Sequence, residues 1–177
     1  MTLVDNHNHI LLAEITEMLA AAKANNVSEL SITEHVSQFR EPRESIRFGS
    51  IHPSGRIFDG LKEYNDEFRK ADRLAYSGMK INRGLEVDFS PRFEARLGDF
   101  VNQEAWDILL CSVHEFEDGK DIEKSVRGIV GPASAHEYWR EYLKLEQKAL
   151  ESDFVPFKVL SHPVRISRAS KGCSSRT

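Results

Sequence analysis

The sequence predicts an α/β fold in which parallel β-strands are covered by helices. Three observations predict it. Short apolar runs alternate with helix-period segments along the chain, and none of the runs has the period-two amphipathicity of a strand with one wet face. A histidine or glutamate also stands at the end of each run. With 177 residues, 40% hydrophobic and 29% charged, the chain is long enough for one domain with a real core and ordinary for a globular protein.

The elements read in order as follows. "TLVDN" is a first strand, and "EITEMLAAAKANN" is a helix because Ile15, Met18, Leu19 and Ala22 follow the i, i+3, i+4, i+7 rule. "SELSIT" is a second strand. From about Val36 to Arg56 no period is visible, and Pro42, Gly49, Pro53 and Gly55 interrupt the segment, which reads as a lid or binding loop. A helix opens near Asp59 with the stripe Leu61, Tyr64, Phe68, Ala71 and Ala75, and stops at Gly78. "KINRGLEV" is a third strand. Ser90-Pro91 then reads as a cap with proline in the first turn of a helix whose inner face is Phe93, Leu97, Phe100 and Val101. "DILLCSV" is nearly all apolar, as expected of a strand buried on both faces. Ser134 and Glu137 have capping-box spacing and open a helix carrying Trp139, Tyr142, Leu143 and Leu150. "FKVLS" closes the set, and the serine-rich, basic "RISRASKGCSSRT" reads as an irregular tail.

Several function classes are excluded by composition. A net charge of −4 gives no electrostatic case for a nucleic-acid or membrane-surface binder. No apolar run approaches the ~20 residues of a bilayer span, and the N-terminal "TLVDNHNH" has no signal pattern. Cys111 and Cys173 make no disulfide framework, and Cys111 in "DILLCSV" reads as a small buried thiol. A reducing cytoplasm is the expected location.

The histidines carry the chemistry. His7 and His9 end the first strand and share a face with Asp5, because side chains two apart point the same way. His35 follows the second strand, Glu86 ends the third, His114 follows the fourth and His162 the fifth. In barrels and open parallel sheets these carboxyl ends converge on the face that holds the active site. Imidazoles and a carboxylate there are ligands for zinc, iron or manganese. Six such residues exceed one tetrahedral site and suggest two or more ions, bridged by Glu86. Paired ions suit phosphoryl chemistry. His52 and His136 fall elsewhere and read as surface residues, while Asp5 is either an acceptor that fixes an imidazole tautomer or a plain strand-end carboxylate. Glu34 and Asp88 are expected to point away from the ligands. Arg40, Arg43, Arg47 and Arg56 in the long loop, and better placed Arg165, are candidates to meet a phosphate. No Gly-rich phosphate loop, CxxC pair or GxSxG elbow is present.

In sequence order, "DNHNH", "ITEH", "RGLEVDF", "DILLCSVHEF" and "LSHP" resemble the motifs of the PHP (polymerase and histidinol phosphatase) metallophosphoesterases, over roughly residues 1–165. "GLEVDF" followed by "SVH" is similar to the histidinol-phosphatase branch. The resemblance implies a distorted seven-stranded (β/α) TIM-like barrel with two or three divalent ions (Zn, Mn or Fe) at its carboxyl-end rim. His7 and His9 would hold one ion, Glu86 would bridge it to a second held by His114 and His162, and His35 would belong to a third. His7, His9, Glu86 and Arg165 would carry the catalysis. The implied reaction is attack of a metal-bound hydroxide on the phosphorus of a small phosphate monoester. Histidinol phosphate is the first candidate, which would place the protein in histidine biosynthesis. The alternatives are another phosphate ester or a nucleotide, or an inactive metal-binding remnant. Two departures stand out: "ILLAEITEM" carries no further histidine, and no D-x-H motif follows His162. An incomplete barrel of about five strands is therefore expected over residues 1–165, with an irregular tail at 166–177. Such a chain is a truncated, frame-shifted or divergent member.

Overall fold

The computed structural model describes residues 3–10, 13–48, 55–76, 78–127, 132–153 and 159–167. Its strands are β1 (Leu3–Asn8), β2 (Val27–His35), β3 (Lys80–Asp88), β4 (Ile108–Ser112) and β5 (Val159–Leu160), and its helices are α1 (Ile15–Ala24), α2 (Arg40–Ser45), α3 (Leu61–Leu74), α4 (Glu94–Val101), α5 (Ile122–Val126) and α6 (Pro132–Glu151). The five strands form one parallel sheet in the order β1-β2-β3-β4-β5. Each strand is followed in space by the next in sequence, with at least one helix between, as in a singly wound barrel.

Strand alternation separates two layers. Leu30, Ile32, Leu85 and Val87 pack outward, with Phe39, Phe58, Tyr64, Leu97 and Phe100, into the apolar core between sheet and helices. Ser31, Thr33, Asn82, Glu86, Asp88 and Ser112 are buried on the concave face. At Gly84 the strands come so close that a Cβ would overlap the carbonyl oxygen of Ile108. Tyr64, fully buried on α3, brings its hydroxyl to 2.9 Å from the Ile32 carbonyl oxygen and 2.8 Å from that of Gly84, clamping the helix to β2 and β3.

The sheet curls strongly. Four steps of a flat sheet would put β1 and β5 about 19 Å apart. Instead Ser161 Oγ lies 3.0 Å from His7 Nδ1, and the His7 and His162 ring centroids are 5.4 Å apart. The carboxyl ends of the first and last strands therefore meet across an incomplete TIM-like barrel.

Some expectations change in detail. The segment after β2 is not structureless: a 3-10 turn (Val36–Gln38) and α2 occupy its first half, and Phe39 pairs with Phe58 as a parallel β-bridge. Both phenylalanines are fully buried, so the loop is pinned by its aromatic residues rather than by any period. Ser90-Pro91 does not cap α4. Phe93 N donates to Ser90 O (3.0 Å) in a turn, and the helix starts one turn later with Phe93 at its N-cap. On α6 the buried stripe is Tyr142, Leu145 and Ala149, while Leu143 (52%) and Leu150 (42%) are exposed. The helix begins at Pro132, and the expected cap Ser134 lies outside the described side chains. Ile166 is fully buried in the core. Residues 168–177 lie outside the described set. Among the described residues, no helix is long and apolar enough to cross a membrane.

Candidate metal centre

All six predicted ligands meet at the carboxyl-end rim, with Glu86 at the middle. His35 and Glu86 are register partners on β2 and β3, which sets an imidazole beside the carboxylate. Glu86 is fully buried, and its two oxygens divide the imidazoles between them. Oε2 lies 2.9 Å from His7 Nε2, 3.2 Å from His9 Nε2 and 3.2 Å from His35 Nε2. Oε1 lies 2.9 Å from His162 Nε2 and 3.5 Å from His114 Nε2, and it also accepts from Ser112 Oγ. His162 reaches in from the turn after β5 with a left-handed backbone (φ 36), a conformation uncommon for a non-glycine residue and often found at functional sites.

The opposite nitrogens are held from outside. Asp88 Oδ1 accepts from His114 Nδ1 (2.7 Å) and from His35 Nδ1 (3.1 Å), and Oδ2 accepts from Ser37 N (3.0 Å). An ionised carboxylate only accepts, so Nδ1 of both imidazoles carries a proton, which leaves Nε2 as the atom each ring would offer to a metal. Ser161 Oγ occupies the same place on His7. Glu34 accepts from the Ile10 backbone N–H and lies 3.8 Å from His9 Nδ1. Asp88 and Glu34 therefore do not point away from the ligands. Asp88 is two residues past Glu86 and shares its face, while the chain after β1 folds back to bring His9 and Ile10 to Glu34.

Electrostatics follow from this packing. Burial works against ionisation of Glu86, but the imidazoles of His162, His7 and His9 outweigh it and hold the carboxyl well below its usual range. Burial likewise opposes Asp88, and His35 and His114 outweigh it to lower its pKa. Burial also disfavours a charged His9, yet Glu34 and Glu86 push its pKa up to about 9. His35 is raised in the same way, against burial, by Asp88 and Glu86. Burial dominates at His114 and lowers its pKa.

A metal fits this donor set. Two groups have all ligand atoms within 4.8 Å of one another: His7, His9 and Glu86, and His35, Glu86 and His114. Glu86 is common to both. Buried His114 Nε2 faces Glu86 without a hydrogen bond to any described residue. His7 Nε2 and His9 Nε2 lie 3.1 Å apart, both aimed at the same point. The grouping differs from the one the motif resemblance implies, since His35 joins His114 rather than a separate third position.

The remaining candidates sit apart. Arg165 Nε is 3.2 Å from Glu123 Oε1, its backbone N–H donates to the His162 carbonyl oxygen (2.8 Å), and its charge acts on His114. Arg40 pairs with Asp59, and Arg56 with Glu63 and Glu67. Arg47 lines a cavity on the rim. Asp5 Oδ1 accepts weakly from His7 N (3.4 Å) and does not reach a ring. His136 is exposed on α6, and His52 lies outside the described residues.

Fold and site together define a parallel α/β half-barrel with a histidine–carboxylate cluster at its carboxyl-end rim. The PHP domain family matches residues 11–172, and the chain belongs to that family. Among curated proteins no sequence matches. The structure resembles that of histidinol phosphate phosphatase from Lactococcus lactis subsp. lactis Il1403 complexed with zinc, L-histidinol and phosphate (TM-score 0.66, 22% identity, 94% of this chain and 60% of that one). It also resembles a proposed histidinol phosphatase from Listeria monocytogenes (TM-score 0.71, 22% identity, 90% of this chain and 66% of that one). The chain thus spans less than two thirds of either neighbour's length, and at this identity the likeness concerns the fold.

Proposed function

We propose that this protein is a metal-dependent phosphoesterase that hydrolyses a small phosphate monoester. The observation that carries the reading is the convergence of five imidazole Nε2 atoms on one buried carboxylate at distances of 2.9–3.5 Å. His7, His9 and Glu86 would hold one divalent ion, and His35, Glu86 and His114 a second, with Glu86 shared and His162 on its other oxygen. Ions of the zinc, manganese or iron type supply Lewis acidity toward phosphoryl oxygens and acidify water. The protein's own contribution is orientation: Asp88 and Ser161 hold three rings by Nδ1, and burial of Glu86 keeps the cluster out of bulk water. Arg165 would be the cation that meets the phosphate, since Glu123 engages only its Nε and a guanidinium has five N–H donors. The Lactococcus neighbour's complex with histidinol and phosphate makes histidinol phosphate the reference substrate.

Elemental analysis of purified protein, with hydrolysis of an aryl phosphate in added manganese, tests the reading. Bound metal and turnover are expected, and His9→Ala should abolish both. Metal-free protein that cannot be loaded, or a His9→Ala variant that works as well as the parent, would overturn it.

A further inference from the structure

Among the connections between the strands lies a cavity of about 450 Å³ lined by Arg47, Phe48, Arg92, Asp118 and Gly119. Its walls are the connections that leave the carboxyl ends of β2, β3 and β4, so it opens on the same rim. Arg92 follows Asp88 and the turn before α4, and its Nη2 donates to Glu115 Oε1 (3.0 Å). Glu115 is the residue after His114, so the cavity wall is one position from a candidate ligand.

Arg92 is a fixed feature. Its guanidinium lies against the backbone of Gly119, where a Cβ would overlap Nη2, and 5.1 Å from the Phe93 ring centroid. Gly119 has φ 82, a left-handed conformation that glycine adopts without strain. The charges around the cavity do not cancel. Asp118 is taken by Lys120 (2.5 Å), and Arg92 is answered by Glu115. Arg47 makes no hydrogen bond or ion pair with any described residue. A guanidinium with no hydrogen bond or ion pair to any described residue thus lines the same cavity as another that has spent few of its five donors. Paired guanidiniums match phosphate and carboxylate oxygens in a bidentate way.

We infer that this cavity is a subsite for a second anionic group of the substrate. The substrate class is then a phosphate ester that also bears a carboxylate or another phosphate, with the scissile phosphate at the metal centre and the far anion between Arg47 and Arg92. This inference rests on the phosphoesterase reading and narrows it. An ester whose far end carries an ammonium group, such as histidinol phosphate, meets like charge there and is the poorer substrate.

The test compares phenyl phosphate with its ortho-, meta- and para-carboxy derivatives on the manganese-loaded full chain. The three isomers place the second anion at three distances. The expected result is one isomer favoured over phenyl phosphate by about tenfold or more in kcat/KM, the scale of a charge-assisted hydrogen bond. Arg47→Gln should bring that ratio close to one, and so should Arg92→Gln. Arg47 has no hydrogen-bond or ion-pair partner among the described residues, so its variant separates recognition from folding. No preferred isomer, or a preference that survives both substitutions, overturns the subsite. If the chain hydrolyses none of the esters, the phosphoesterase reading fails by itself. Calorimetric titration of chelated protein with the same carboxyphenyl phosphates then decides the subsite: weaker binding in Arg47→Gln supports it, and equal binding overturns it.

Discussion

Asp88→Asn is the sharpest perturbation of the centre, because it changes one atom and touches two imidazoles. In the parent, Oδ1 accepts from both His35 and His114, and Oδ2 accepts from Ser37 N. A carboxamide has one acceptor oxygen. With that oxygen toward the imidazoles, the new NH₂ faces the Ser37 N–H, donor against donor. Flipped, it faces two Nδ1–H groups instead. Either way a buried donor loses its acceptor, at about 1–3 kcal/mol of stability. Loss of the carboxylate also weakens the hold on both rings, and removing such a partner typically costs about 10–100-fold in metal affinity, or about 1.4–2.7 kcal/mol. The assay is a zinc titration against a competing chelator, with urea denaturation of the metal-free protein alongside. A variant with parental affinity would refute the claim that Asp88 orients His35 and His114. A loss of stability with unchanged affinity would assign Asp88 to the scaffold alone.

Three further outcomes follow from the same structure. Gly84→Ala forces a methyl group into Ile108 and should destabilise the fold by about 1–3 kcal/mol in denaturant titration. Glu146 is buried on α6, and burial raises its carboxyl pKa against a hydrogen bond from Tyr142. A raised folded-state pKa gives stability that is complete below the unfolded-state value and lost as pH rises through the folded one. Glu146→Gln should therefore raise Tm at pH 7, with the gap closing in acid. Removing ions with a chelator should lower Tm reversibly, since free metal at a hundredfold over Kd contributes about 2.7 kcal/mol, or about 5–10 °C for a chain of this length.

The convergence of the cluster was legible in the sequence because parallel strands deliver their ends to one rim, so a histidine or glutamate at each strand end sufficed to bring His7, His9, His35, Glu86, His114 and His162 together. The groups behind them were harder to read. Asp88 obeys the same alternation as Glu86, and counting two residues on from the bridging carboxylate would have found it. Glu34 left no such signal, because its approach to His9 depends on how the chain turns after β1. The core side of α6 was ambiguous, since Leu143 and Leu150 repeat at helical spacing as convincingly as Leu145 and Ala149. Which stripe is buried is decided by the neighbouring elements and not by the helix. The Phe39–Phe58 bridge was invisible for a similar reason: two aromatics separated by an aperiodic stretch show no pattern until the chain closes on them.

Since the cluster draws one or two side chains from every strand, the centre cannot assemble piecemeal. A slip of one residue in any strand would turn its imidazole or carboxylate to the other face, and β5, only Val159–Leu160 long, adds His162 and the Ser161 contact to His7. Cation uptake during refolding would therefore report the pairing of β1 to β4, which carry both ligand groups, while β5 would add His162 against the other oxygen of Glu86.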